Sequence, residues 1–363
     1  MKKKPIHVAL LFGGKSAEHE VSIQSAKNVY NSLIEKEYDV TLIGIDKQGK
    51  WMPMPKQYLL ETSTEFHALK SSESPSTSLR ESNSGGKDLL PIVNESMKSV
   101  DVVFPILHGP YGEDGSMQGM LQIADVPFVG SGVLGSAVGM DKDVAKRLLR
   151  AGGLPVSDFL VFRKGEKIEF SVVKKKLRLP CFVKPANLGS SIGVTKVTDE
   201  KQFNAAIKEA FEYDTKIIIE EYIEGRELEC AVLGNENPKA SLPGEVVLQK
   251  GFYDYDSKYI DEDNAKLQIP AELPKAKIKE MQMLAIKTFE VLCLSGMARI
   301  DFFLSKDNKF YINEANTIPG FTNISMYPKL WEATGIPYAD LVEELINLAI
   351  EKHTVQKGLK TSL

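Results

Sequence analysis

Met297-Ala298-Arg299-Ile300-Asp301-Phe302-Phe303-Leu304, a turn Ser305-Lys306-Asp307-Asn308, and then Phe310-Tyr311-Ile312-Asn313-Glu314-Ala315-Asn316 form two apolar runs that carry polar residues two positions apart. This pattern predicts a pair of adjacent strands, because side chains alternate between faces and Ser, Asp and Asn favour the reversal. Arg299 and Asp301 then share one face, as do Glu314 and Asn316. Three oxygen donors, Asp301, Glu314 and Asn316, are expected to converge. Oxygen-only donors suit hard divalent ions, and magnesium characteristically binds through one or two carboxylates together with substrate phosphates and water. The plainer reading of these charges is a solvated strand pair, and the apolar neighbours on both strands weigh against it.

Upstream, Cys181-Phe182-Val183-Lys184-Pro185 reads as a strand running into the loop Ala186 to Gly193, Ala-Asn-Leu-Gly-Ser-Ser-Ile-Gly. A lysine at a strand end before small residues can present an ammonium, backbone N–H groups and hydroxyls to phosphate oxygens. A plain hairpin is the commoner fate of such a loop. The Walker order GxxxxGK[ST] is absent, which disfavours a P-loop kinase. Lys216 to Tyr222 reads as another strand, with a helix over Phe203 to Phe211 between the two. Asp141-Lys142-Asp143 precedes Val144, Leu148 and Leu149 at helical spacing.

The N-terminal part is of open α/β type. Ile6 to Phe12, ending in Gly13-Gly14, reads as a buried parallel strand; Val40 to Ile45 and Val100 to Leu107 are two more, and a helix is expected from about Ser22. The serine-rich stretch containing SSESPSTS and SNSGG marks a surface insertion within residues 61–98. A long loop is expected from Gly251 to Asn264, and a capping helix from Ala339 to Glu351. The chain thus divides into residues 1–139, 140–226 and 227–363, with no internal repeat.

The bulk properties agree with an ordinary multidomain protein. At 363 residues the chain is too long for one compact core. A hydrophobic fraction of 43% with 26% charged residues and a formal net charge of -4 offers no basic field for nucleic acid. The three cysteines Cys181, Cys230 and Cys293 are widely spaced, which argues against a disulfide framework or zinc cluster. No run approaches the roughly 18 to 20 apolar residues of a membrane span, so a cytoplasmic protein is expected. A nicotinamide-dependent dehydrogenase is suggested by Gly13-Gly14, but Lys15-Ser16-Ala17-Glu18 follows where G-x-G-x-x-G is required. A non-catalytic nucleotide-binding module is disfavoured by the presence of both acidic metal donors beside Arg299.

The order of a phosphate-covering loop, the Glu220-Glu221-Tyr222-Ile223 segment and the late Asp301, Glu314, Asn316 set resembles the ATP-grasp superfamily. Leu11 to Ser22, His108-Gly109 with Gly112-Glu113-Asp114-Gly115, Met140-Asp141-Lys142, Tyr253 to Tyr259 and Asn316 to Gly320 narrow the resemblance to the D-alanine–D-alanine ligase family, nearly end to end. Another ATP-grasp carboxylate–amine ligase is the alternative. The resemblance implies a three-domain architecture, ATP, two Mg2+ (or Mn2+), two molecules of D-alanine and a homodimer formed through the N-terminal part. It assigns Lys142 and Lys184 to ATP phosphates; Glu220, Glu221, Ile223, Glu227 and Phe252 to the adenosine; and Asp301, Glu314 and Asn316 to the metals. Glu18 would hold the first D-alanine's ammonium and join Ser190 and Tyr259 in a hydrogen-bonded triad, with His108 beside that substrate. Arg299 and the Gly320 N–H would face the developing oxyanion. Lys258, Ser325 and Met326 would border the second D-alanine, Met326 through its backbone. A lid tyrosine such as Tyr259 accompanies amine acceptors in the family, whereas the enzymes that make D-alanyl-D-lactate employ a histidine.

Each assignment has an ordinary alternative. Glu18 and Glu20 can serve a helix N-terminus, His108 can be a turn histidine satisfied by backbone groups, and Tyr253, Tyr255 and Tyr259 can be loop packing.

Overall fold

The computed structural model describes residues 5–61, 99–248 and 265–360. Most of the serine-rich insertion, together with Phe252, Lys258 and Tyr259, lies outside the described residues.

The first sheet has the order β3-β2-β1-β4. Strands β1 (His7–Gly13), β2 (Asp39–Ile45) and β4 (Val102–Pro105) run parallel, and β3 (Trp51–Met54) closes one edge antiparallel to β2. The run expected from Ile6 to Phe12 is β1, and its continuous apolar character reflects burial on both faces. Val8, Leu10 and Phe12 pack on one side, Ala9 and Leu11 on the other. Helix α1 (His19–Glu35) begins three residues before the expected Ser22. The Ser22 hydroxyl is used elsewhere: it accepts from the Gly13 N–H at 2.8 Å and donates to the Ile106 carbonyl, tying the helix to two strand ends. Gly13 is required at its position, since at φ 90° an added Cβ would lie 2.2 Å from the Ile45 carbonyl oxygen. After α2 (Gln57–Glu61), two short helices, α3 (Ser116–Ile123) and α4 (Val133–Met140), lead out of this part.

Helix α5 (Lys142–Ala151) is capped by Asp141, whose carboxylate accepts from the Asp143 and Val144 N–H groups. A second sheet follows, β5-β8-β6-β7, from β5 (Phe159–Arg163), β6 (Cys181–Pro185), β7 (Thr195–Val197) and β8 (Lys216–Glu221). Helices α6 (Phe170–Leu177) and α7 (Glu200–Tyr213) cover it, and it has its own core around Val173, Val183, Phe203, Ala206 and Ile219.

The third sheet, β12-β11-β9-β13-β14 with β10 beside β9, comprises β9 (Gly225–Gly234), β10 (Lys239–Ala240), β11 (Gly244–Leu248), β12 (Ala265–Gln268), β13 (Gly296–Ser305) and β14 (Phe310–Asn316). Helix α8 (Lys275–Val291) packs on one face, burying Met281, Ala285 and Phe289. Helices α9 (Met326–Thr334) and α10 (Tyr338–Lys357) complete the chain. Tyr327, Trp331, Leu341 and Leu345 share one continuous core with Ala26, Val29 and Leu33 of α1 and with Leu10 of β1. The first and last parts of the sequence are therefore fused, and the middle sheet is the separate body.

Candidate active site

The strands β13 and β14 pair antiparallel with Arg299 opposite Asn316 and Asp301 opposite Glu314, as the alternation predicts, and the register shifts between Asp301 and Phe302. Asn316 Nδ2 donates to Asp301 Oδ2 at 3.0 Å. Arg299 grips Asp301 with two parallel bonds of 2.8 Å, from Nε and Nη2. Glu314 lies 3.4 Å from the Lys142 ammonium, which also donates to the Leu188 carbonyl at 2.7 Å. The donor set is hard and oxygen-rich and fits magnesium or manganese shared with phosphate oxygens.

Lys142, Asp301 and Glu314 line one wall of a cavity of about 600 Å³ between the second and third sheets. Lys142, Lys184, Ser190, Glu220, Glu221, Ile223, Glu227, Asp301 and Glu314 all face it. Lys184 ends β6, where it donates to Glu220 Oε2 at 3.0 Å and Asn313 Oδ1 at 3.4 Å. Behind it sits Lys146, 1% exposed, with its ammonium 3.5 Å from the same Glu220 oxygen and 3.2 Å from the Ser157 hydroxyl. Burial alone raises the Glu220 pKa, but the ammonium groups of Lys146 and Lys184 outweigh it and hold the carboxyl below its ordinary value. Burial pulls the Lys146 ammonium down against the attraction of Glu220. The cavity therefore carries two lysines, Lys142 and Lys184, the latter braced by a buried carboxylate.

The loop after β6 is anchored by Asp214, which accepts from the Asn187 N–H at 2.8 Å and its side-chain amide at 3.0 Å. Ser190 and Ser191 both adopt positive φ, 53° and 58°, turning the chain so that the Ser190 hydroxyl donates to Glu18 across the cleft. Glu18 stands at the head of α1 without capping it through its side chain, so its carboxylate serves the cleft. Glu20 instead pairs with Lys47 at 2.5 Å, away from the site. Gly109 crosses beside this pair with φ 76°; an added Cβ would lie 2.8 Å from Ser16 Oγ and 3.1 Å from Glu18 Oε2.

His108, three residues past the end of β4, is buried, with Nδ1 2.9 Å from the Ile318 carbonyl and Nε2 3.4 Å from Ser25 Oγ. Burial lowers its pKa, Glu18 opposes that and Arg299 adds to it, so the ring is held neutral and faces both charged partners. Gly320 and Ser325 adjoin: a Cβ on Gly320 would lie 2.8 Å from Ser325 Oγ, and Ser325 accepts the Thr322 N–H at 3.0 Å. Met326 opens α9 with its side chain in the shared core, leaving its backbone for any role at the site.

Three residues of the site went unassigned in the sequence reading. Lys146 and Glu229 lie within runs that read as helix surface and strand. Glu113 stood in the Gly112 to Gly115 motif without a role. Half-buried, it accepts from the N–H groups of Gly109 at 2.9 Å and Ile318 at 3.2 Å, joining two segments 205 positions apart. Burial and the nearby Glu18 charge push its pKa to about 8 against those two backbone donors. A carboxyl whose pKa is higher folded than unfolded contributes stability that is full below about 4.5 and lost as pH rises through about 8. Glu113→Gln, which keeps an acceptor and cannot ionise, is expected to flatten the fall in stability between pH 5 and 8, as urea titrations at several pH values would read; an unchanged slope would count against a neutral Glu113.

A cleft between two antiparallel sheets, floored by clustered carboxylates and roofed by the loop that follows Lys184, defines the ATP-grasp fold. The profile described as D-ala D-ala ligase N-terminus matches residues 7–131, and that described as D-ala D-ala ligase C-terminus matches residues 148–347. A D-alanine--D-alanine ligase of Shouchella clausii is 53% identical over 100% of this chain and 99% of its own length. D-alanine--D-alanine ligase A of Escherichia coli K12 is 51% identical over 99% of both. Among solved structures, the Coxiella burnetii D-alanine-D-alanine ligase superposes with a TM-score of 0.81 at 38% identity, covering 98% of this chain and 97% of that one. The VanG D-Ala:D-Ser ligase of Enterococcus faecalis gives 0.79 at 34% identity, covering 95% and 100%. The chain belongs to the D-alanine–D-alanine ligase family.

Proposed function

We propose that this protein joins two molecules of D-alanine into D-alanyl-D-alanine at the expense of ATP, through an acylphosphate, and so supplies a precursor of peptidoglycan. The observation that carries the reading is the cavity in which Lys142, Lys184, Asp301 and Glu314 face one another within reach of Glu18, Ser190 and His108. Glu18 pairs with the ammonium of the first D-alanine, and neutral His108 lies beside it without repelling that charge. Lys142 and Lys184 hold the ATP phosphates, while Glu220, Glu221, Ile223 and Glu227 border the adenosine. Asp301, Glu314 and Asn316 would hold two Mg2+ (or Mn2+), whose charge would offset that of the phosphoryl group. Arg299 and the Gly320 N–H stabilise the oxyanion formed when the second amine attacks, by analogy with oxyanion donors worth about 3 to 4 kcal/mol each. Ser325 and the Met326 backbone border the second D-alanine. Phe252, Lys258 and Tyr259, assigned to adenine, acceptor and triad by the family pattern, complete the proposal from outside the described residues.

We also propose the division into residues 1–139, 140–226 and 227–363, a cytoplasmic location and a homodimer. Three separate sheets support the division. No helix among the described residues is long and apolar enough to cross a membrane. Exposed Ile123 and Leu134, on the adjacent helices α3 and α4, give the N-terminal part an apolar face suited to a second copy.

Phosphate release across a panel of D- and L-amino acids tests the activity. D-alanine alone is expected to drive ADP and phosphate formation with the dipeptide as product. With equal D-alanine, D-serine and D-lactate at pH 7, D-alanyl-D-alanine is expected to predominate; a mostly D-serine or D-lactate product would overturn the acceptor and leave the ATP-grasp assignment standing.

A further inference from the structure

Strand β9 places Glu229 directly opposite Asp301, and β14 places Glu314 on the other side of Asp301. The three carboxylates thus form a row across neighbouring strands, and Arg299, two residues along β13, folds back over it. Arg299 Nε lies 2.8 Å from Asp301 Oδ1 and 2.8 Å from Glu229 Oε2, while Nη2 bonds Asp301 Oδ2. The side chains of Arg299, Asp301 and Glu229 are 17%, 14% and 9% exposed. One guanidinium is shared between two shielded carboxylates, and only one of these belongs to the metal set.

We propose that Glu229 is a positioning residue that keeps Arg299 in place when Asp301 turns to a divalent cation. The inference rests on the ligase reading above. Arg299 holds both oxygens of Asp301 and Asn316 also donates to Oδ2, so a cation drawn to Asp301 competes with the guanidinium for this carboxylate. Without a second carboxylate, that exchange would strand a guanidinium in a site largely closed to water, which is strongly disfavoured. Glu229 already stands at contact distance from Nε, so it can take over the counter-charge with little movement. Its place is fixed by the backbone, since β9 and β13 stay in register from Gly225 to Gly234. Glu229 also faces the cavity, which raises the alternative of a direct metal contact. Its Oε2 already lies 2.8 Å from Arg299 Nε, which favours the positioning role.

The test is the affinity for Mn2+ with ADP, read by calorimetry on the full chain. Glu229→Gln, nearly isosteric, is expected to weaken Mn2+–ADP binding about tenfold, equivalent to about 1.4 kcal/mol, while metal-free ADP binds as in wild type. In an Arg299→Gln background the same change is expected to have no effect, because there is no guanidinium left to hold. An equal loss in both backgrounds would overturn the proposal in favour of a direct effect on the metal. An equal loss for metal-free ADP would overturn it in favour of a nucleotide contact, and wild-type affinity in Glu229→Gln would overturn it outright. A wild-type chain that fails to bind Mn2+–ADP removes the ligase reading and this inference together.

Discussion

Glu314→Gln is expected to fold normally and to lose turnover by about a thousandfold or more, roughly 4 kcal/mol of barrier. Glu314 sits opposite Asp301 on β14, faces the nucleotide cavity and keeps an ammonium 3.4 Å away. The glutamine preserves size and one oxygen but removes the charge that offsets a divalent ion, so phosphoryl transfer loses its electrostatic support. Folding should survive, because Lys142 retains its bond to the Leu188 carbonyl and the strand pairing is a backbone matter. Steady-state ADP release with circular dichroism on the same sample checks both halves. Activity within about tenfold of wild type would sink the metal assignment.

The second large effect concerns Glu220, and it is a matter of stability. Glu220→Leu is expected to cost about 3 to 5 kcal/mol, the range for breaking a buried ion pair by removing one partner. Lys146 is 1% exposed and Lys184 11%, and both ammonium groups lie within 3.5 Å of the same Glu220 oxygen. Without it, one must lose its proton or open the sheet to water. Equilibrium urea unfolding would read the loss directly. Lys146→Met in the Glu220→Leu chain should recover part of it, since an apolar side chain no longer asks for a counter-charge. A single mutant within about 1 kcal/mol of wild type would mean that the buried network contributes little.

Much of this arrangement is legible in the sequence because it follows from short-range rules. The shared faces of Arg299 with Asp301 and of Glu314 with Asn316 come from the period of two, and the parallel strands of the first sheet come from continuous apolar runs. What escapes is whatever depends on a distant partner. Lys146 sits among Asp143 and Arg147 and reads as solvated, but α5 turns it toward Glu220, 74 positions on. Glu113 gains its function from Ile318, and Glu229 from a strand pairing that brings β9 against β13. The helix expected from about Ser22 starts at His19, and the Ser22 hydroxyl is spent on Gly13 and Ile106. No local pattern encodes such meetings.

The continuous core running from α1 to α10 makes the protein mechanically a two-part tool, although its chain reads as three parts. Besides the apolar packing, the Phe321 N–H donates to Ser25, Lys36 clasps Asp340 and Glu343, and Lys352 donates to the Gly130 carbonyl at 2.6 Å. The first and last thirds therefore act as one anvil that carries Glu18, His108, Arg299 and the metal-type carboxylates in fixed relation. The middle sheet, with its own small core, carries Lys184 and holds Ser190 against Glu18 across the cleft. The two sides of the cleft thus rest on separate cores, so packing lost beneath one leaves the surface of the other standing.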